Sequence, residues 1–263
     1  MELFHVRRPT GVKRPVVASL PHSGRYLPPD ISWQFTRSPR PYLYGTDWHL
    51  GRLYEFLPEL GVTVIEATHS RYVVDLNRNL DEPVFGHHNT SAIYARTTRG
   101  EALYDIEPAQ TELSGRIFRY YLPYHRALSD LVEETVREQG RAVLLDLHSF
   151  GMADPQSDIV LGDVNGKSCP PALTAAFEQA LKGQGFGVAR NDRWTGGYIT
   201  QRFGAREGAD ALQIELKVRA YLEGPYVDEK MSGDPDSEIF REAGKRLRAA
   251  FEEVLEGLLP PLT

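Results

Sequence analysis

Residues 142–148 read AVLLDLH. Five of the first six are apolar, and the run is too short for a helix of its own. Such a segment is a strand buried on both faces, the kind found in parallel sheets covered by helices. It ends abruptly on a polar His148-Ser149 pair. Working outward, further apolar runs at residues 15–20, 62–67, 72–76, 158–161, 186–189 and 211–218 predict strands. Helical periodicity fills the intervals. Residues 47–57 predict a helix with Thr46 as its N-cap. Residues 112–138 carry apolar side chains at 113, 117, 121, 124, 128 and 131, one face of a helix. Pro123 lies inside that run and predicts a kink or break. Residues 171–182 and 237–257 predict two more helices. Alternating strands and helices give an α/β fold.

The 263 residues are 41% hydrophobic and 25% charged, an ordinary globular composition. No linker divides the chain, so residues 1–263 read as one domain with short loops at 38–41, 183–187 and 195–197. Residues 81–108 lack periodicity and are either a surface excursion or a functional loop. The net charge of −6 argues against a nucleic-acid binder. Cys169 is the lone cysteine, which excludes an intramolecular disulfide and any multi-cysteine metal cluster. No apolar stretch has the length of a membrane span, and the N-terminus has no leader-like apolar core. Together these predict a cytoplasmic protein without membrane or nucleic-acid partners. The oligomeric state is not written in these features.

Several motifs are missing. There is no G-x-S-x-G nucleophile elbow and no H-E-x-x-H zinc helix. Residues 162–168 (GDVNGKS) are one residue short of a phosphate-binding P-loop and read as a Gly/Asn turn. What remains is a set of polar groups at strand ends, where α/β sheets bind ligands. His22 follows the strand at 15–20, His148 follows 142–147, and Asp47 stands where the first helix is predicted to open. Two imidazoles and a carboxylate suit a catalytic zinc site, although a strand-end histidine or helix-start aspartate also serves as a simple hydrogen-bonding or capping residue. Glu215 lies in the run ALQIELKV, where alternation alone turns it toward solvent with Gln213 and Lys217. Arg71, Asn77 and Arg78 flank the run at 72–76. They read equally as a clamp for an acidic ligand or as an ion-pair network with Asp75 or Asp81.

The motifs PHSG (21–24), TDWH (46–49), ATHSRYVVDLNR (67–78), DLHSF (146–150), LGDVNGKSC (161–169), GGYITQRFG (196–204) and IELKVRAYL (214–222) occur in this order along nearly the whole chain. In them the sequence resembles the N-formylglutamate amidohydrolase family, relatives of zinc carboxypeptidases and aspartoacylases. The resemblance implies a three-layer fold, a mixed, mostly parallel sheet with helices on both faces. It implies one Zn²⁺ per chain, held by His22 and His148, and an amide-cleaving reaction on a small acidic N-acyl amino acid, N-formyl-L-glutamate. It implies Glu215 as general base and Asn77-Arg78 as the grip on a substrate carboxylate, with Arg71 and Arg219 as further contacts. His22 lacks the H-x-x-E carboxylate partner of the carboxypeptidases, which leaves Asp47 as the expected third ligand and Glu66 in reserve. Competing expectations are the same chemistry on another N-acyl amino acid or small peptide, and a non-catalytic protein that binds acidic metabolites.

Overall fold

The computed structural model describes residues 1–35, 44–151, 155–223 and 233–258. The predicted loop at 38–41 lies outside them. In chain order the elements are β1 (Phe4–Arg7), β2 (Val16–Leu20), α1 (Pro29–Ser32), α2 (Leu50–Leu53), β3 (Thr63–Ala67), β4 (Phe85–Gly86), β5 (Ile93–Tyr94) and α3 (Gln110–Arg116). They continue with α4 (Leu122–Gln139), β6 (Ala142–Phe150), β7 (Ile159–Gly162), α5 (Pro171–Gly183), β8 (Val188–Arg190), α6 (Tyr198–Gly204), β9 (Ala209–Lys217) and α7 (Glu238–Gly257). Seven strands form one sheet in the order β1-β3-β2-β6-β9-β7-β8. The pairs β2–β3, β2–β6, β6–β9 and β7–β8 are parallel; β1–β3 and β7–β9 are antiparallel.

Strand alternation sorts side chains to two cores. Val16, Ala18, Leu20, Val143, Leu145, Leu147, Leu212 and Ile214 face one cluster, shared with α2, α5 and α7. Val17, Ala142, Leu144, Ala209 and Ala211 face the other, shared with α4, α6 and residues of the 72–104 region. The sheet is therefore the middle of three layers, and its central strands are buried on both sides. Among the described residues no helix is long and apolar enough to cross a membrane.

The second face changes character along the strands. Near their starts it presents Ala142, Leu144 and Ala211; near their ends it presents Asp146, His148, Gln213 and Glu215, all buried. After β2 the chain moves to β3 on one side, and after β6 it moves toward β7 on the other. The adjacent carboxyl ends of β2 and β6 thus mark the switch point at which such sheets bind ligands. His22 and His148 stand there.

Several sequence expectations are corrected. Residues 72–76 are not a strand. Tyr72, Val73 and Val74 are buried in the second core, but the backbone turns without joining a ladder, and this curl aims Asp75 and Asn77 into the sheet's carboxyl edge. The helix predicted over residues 47–57 is only α2, Leu50–Leu53, so Asp47 sits in the loop before it. Thr46 caps nothing; its buried hydroxyl has no partner among the described residues. The break foreseen at Pro123 takes the form of a π-helical turn over Ile117–Tyr121 between α3 and α4. Proline offers no N–H to the carbonyl four residues back and its ring crowds that carbonyl, so the turn widens. Ser237 caps α7, accepting from the Phe240 N–H. Residues 163–168 form the expected turn, with Val164, Asn165 and Gly166 at positive φ. The stretch 81–108 is no mere excursion: it buries Ser91–Tyr94 and Leu103–Tyr104 against the second core.

Candidate metal centre

His22, Asp47 and His148 come together at the switch point, all three buried, with their potential ligand atoms within 4.8 Å of one another. Each arrives from a different segment. His22 follows β2; the Asp47 N–H donates to the His22 carbonyl at 3.0 Å, which ties the loop before α2 to the end of β2. His148 is in β6, in register with Glu215 of β9.

Both imidazoles turn the same nitrogen inward. His22 Nδ1 lies 3.9 Å and His148 Nδ1 3.2 Å from Asp47 Oδ2. Their outer nitrogens each meet a second carboxylate. His22 Nε2 lies 2.7 Å from Asp75 Oδ1, and His148 Nε2 lies 3.1 Å from Asp146 Oδ2. A carboxylate behind a histidine fixes the ring and its tautomer, leaving the inner nitrogen's lone pair for a metal. Ser149 Oγ donates to the other Asp47 oxygen at 3.3 Å. The donor chemistry of two imidazole nitrogens and one carboxylate oxygen, buried and backed in this way, fits a divalent metal such as zinc.

The two histidines titrate in opposite directions. Burial, reinforced by the Arg71 charge, lowers His22 to about 4 despite Asp75. Burial also opposes charge on His148, but Asp146 and Asp47 outweigh it and hold the ring well above the ordinary range. Burial pushes the Glu215 carboxyl up to about 7; His148 works against this, while Asp47 and Asp146 add to it. Gln213 Nε2 donates to Glu215 Oε1 at 2.8 Å. Glu215 is thus not the solvent-facing residue that alternation alone suggested. Its face of β9 is covered by α6 and the segment around Asn77, so alternation told the face correctly but not what lies over it.

Asp75 is a hub. Its Oδ1 accepts from His22 and from the Asn77 N–H at 2.8 Å, and its Oδ2 accepts from Arg71 Nη2 at 2.7 Å and from the Tyr94 hydroxyl. Burial alone would raise this carboxyl, yet Arg71, His22 and Arg78 hold it well below the carboxylate range. Of the two partners considered for the arginines, Asp75 takes part and Asp81 does not: Asp81 bonds Asn79. Arg71 also donates to the Gly45 carbonyl and to Tyr94. Arg78 donates to the carbonyls of His88 and Asn77, each at 2.9 Å, while its Nη2 reaches Asp75 Oδ2 only at 3.9 Å. Asn77 Oδ1 accepts from the Ile199 N–H at 2.8 Å, and Nδ2 donates to Asp146 Oδ2 at 3.2 Å. Arg219 lies on the exposed turn after β9, outside this cluster. Glu66 is also outside it: it sits on β3 paired with Arg7 at 3.4 Å.

Two motif glycines have steric reasons. A Cβ at Gly24 would lie 2.1 Å from the His69 carbonyl oxygen, and one at Gly197 would lie 2.4 Å from Asn77 Nδ2. Gly24 thus lets the chain after β2 lie against the His69 backbone, and Gly197 lets the start of α6 lie against Asn77. Sequence reasoning passed over Asp146, although it shares a strand face with His148 two residues on. It named Asp75 only as an arginine partner. Nothing local marked Tyr94 or Gln213.

Comparison with known proteins bears on this geometry. Residues 14–222 match the family model of N-formylglutamate amidohydrolase. An N-formylglutamate deformylase of Pseudomonas aeruginosa is 33% identical over 256 residues, 93% of this chain and 92% of that protein. The Pseudomonas putida N-formylglutamate deformylase is 31% identical over 220 residues, 80% of this chain and 82% of that one. The crystal structure of an N-formylglutamate amidohydrolase from Ralstonia eutropha JMP134 superposes with a TM-score of 0.86 at 29% identity, covering 98% of this chain and 99% of the other. The chain belongs to the N-formylglutamate amidohydrolase family.

Proposed function

We propose that this protein hydrolyses N-formyl-L-glutamate to formate and L-glutamate, with Zn²⁺ held by His22, Asp47 and His148. The observation that carries the reading is the buried convergence of those three side chains near Glu215, a carboxyl that burial pushes up to about 7. Zinc bound there supplies Lewis acidity, which acidifies water and polarises a carbonyl.

Glu215 is the general base. A carboxyl brought to about 7 by burial can accept a proton from the attacking water near neutral pH and return it. Water adds to the formyl carbon, Glu215 takes its proton, and the C–N bond breaks as that proton passes to the departing amine nitrogen. Formate and the free amino acid leave. Asp75 and Asp146 hold the two imidazoles so that both inner nitrogens stay aimed at one point.

Arg71, Asn77 and Arg78 are assigned to the substrate's carboxylates; Arg219, which the resemblance also implied, lies outside their cluster. Arg78 leads this set, because two carbonyls fix its Nε and Nη1 while Nη2 is the loosely held corner of the guanidinium. Asn77 contributes through its place between Arg78 and Asp146. Holding a carboxylate end places the small formyl end, which has few contacts of its own.

A substrate panel tests the reading. N-formyl-L-glutamate should exceed N-formyl-L-norvaline in kcat/KM by about 100-fold or more, since the norvaline analogue keeps only its α-carboxylate and leaves the partner of the side-chain carboxylate unpaired, and it should also exceed N-acetyl-L-glutamate. Equal rates across the panel would remove the carboxylate assignment, and a preference for another acyl group would move the substrate.

A further inference from the structure

Arg78 follows a segment with no regular structure, yet its backbone is held from one side by a single helix. The Tyr121 hydroxyl donates to the Arg78 carbonyl at 2.7 Å. His125 Nε2 donates to the Leu76 carbonyl at 2.8 Å. A carbonyl only accepts, so the His125 proton is on Nε2. Nδ1 is then an acceptor, and Arg202 Nη1 lies 3.3 Å from it. Burial keeps that ring neutral, lowering it to about 4. The two rings stack with centroids 4.2 Å apart.

Tyr121 and His125 are four residues apart, on one helix face. Tyr121 is the last residue of the π turn that Pro123 enforces, and His125 stands in the first turns of α4. The carbonyls they hold bracket Asn77, whose own N–H is taken by Asp75. The segment 76–78 is thus pinned at three successive backbone positions without a β-ladder. Arg78 Nη1 in turn leans on the Asn77 carbonyl, so the aim of the guanidinium depends on that backbone.

We propose that Tyr121 and His125 are positioning residues that clamp the Leu76 and Arg78 carbonyls and so set the aim of the Arg78 guanidinium. This rests on the assignment of Arg78 to the substrate carboxylate. The π turn is the device that delivers the Tyr121 hydroxyl to its carbonyl.

The test uses the zinc-loaded full chain and the Tyr121→Phe variant, which keeps the ring and loses one hydroxyl. KM for N-formyl-L-glutamate should rise about five- to tenfold, the scale of one hydrogen bond, with kcat within about twofold and zinc content unchanged. In an Arg78→Ala background the same substitution should change KM by less than about twofold, because a residue acting through Arg78 has nothing left to act on. Equal effects in both backgrounds overturn the proposal, since a merely structural role predicts additivity. Amide exchange over residues 76–79 reads the clamp without substrate. It should be faster in Tyr121→Phe, and in His125→Gln should the first variant fold poorly; unchanged exchange overturns the clamp. Absence of wild-type turnover together with accelerated exchange would strike the substrate reading and leave the clamp standing.

Discussion

Glu215 stands beside His148 in the register of two parallel strands, on the same sheet face and one strand apart. That relationship places a carboxyl near neutrality beside one of the two histidines. Glu215→Gln keeps shape and removes the basic oxygen. The variant should retain zinc and lose about 10²- to 10⁴-fold in kcat, the usual contribution of a general base. Wild-type turnover in the variant would remove Glu215 from that role.

His148 is expected to give up a proton when metal binds. Asp146 and Asp47 hold its pKa well above the ordinary value, so at pH 7 the metal-free ring is charged. A ligand nitrogen must be deprotonated. Zinc binding should therefore release about one proton per site from His148 at pH 7, and affinity should fall as pH is lowered. Calorimetry in two buffers of different ionisation enthalpy measures the proton count. Heats that do not depend on the buffer would contradict it.

Asp47 and Glu66 were both eligible as the third ligand, and their positions separate them. Asp47 lies between the inner histidine nitrogens, whereas Glu66 pairs with Arg7 away from them. Asp47→Ala should lose most zinc at sub-micromolar free metal, while Glu66→Gln should keep it. Asp75→Asn and Asp146→Asn should weaken zinc binding by about 10- to 100-fold, the cost usual for a lost carboxylate behind a ligating histidine. Full occupancy in Asp47→Ala would turn attention to another donor.

Arg78→Ala should raise KM for N-formyl-L-glutamate by at least about tenfold while leaving zinc content alone, consistent with a charge-assisted bond worth about 1.5–3 kcal/mol. Unchanged KM would place the substrate carboxylate elsewhere, with Arg219 the next variant to make.

Much of this was legible before any coordinates, for a physical reason. Buried central strands announce themselves as apolar runs, and their carboxyl ends are where ligands sit, so His22 and His148 stood out from pattern alone. Asp47 and Glu215 did not. An aspartate before a short helix looks like a cap, and a glutamate in an alternating strand looks solvent-facing. Burial of Glu215 comes from α6 and the segment around Asn77, which are distant in sequence; only the family resemblance carried that information. Residues 72–76 misled because burial, not pairing, explains their apolar character. Asp75, Tyr94 and Tyr121 matter through contacts spanning 19 to 53 positions, which no local window sees.

The most direct test of the central claim is formate release from N-formyl-L-glutamate, measured in parallel on zinc-loaded and chelator-stripped protein. Turnover by the loaded enzyme, lost on stripping and restored by zinc, is the predicted result. No formate from folded, zinc-replete protein, or equal rates with and without metal, would contradict it.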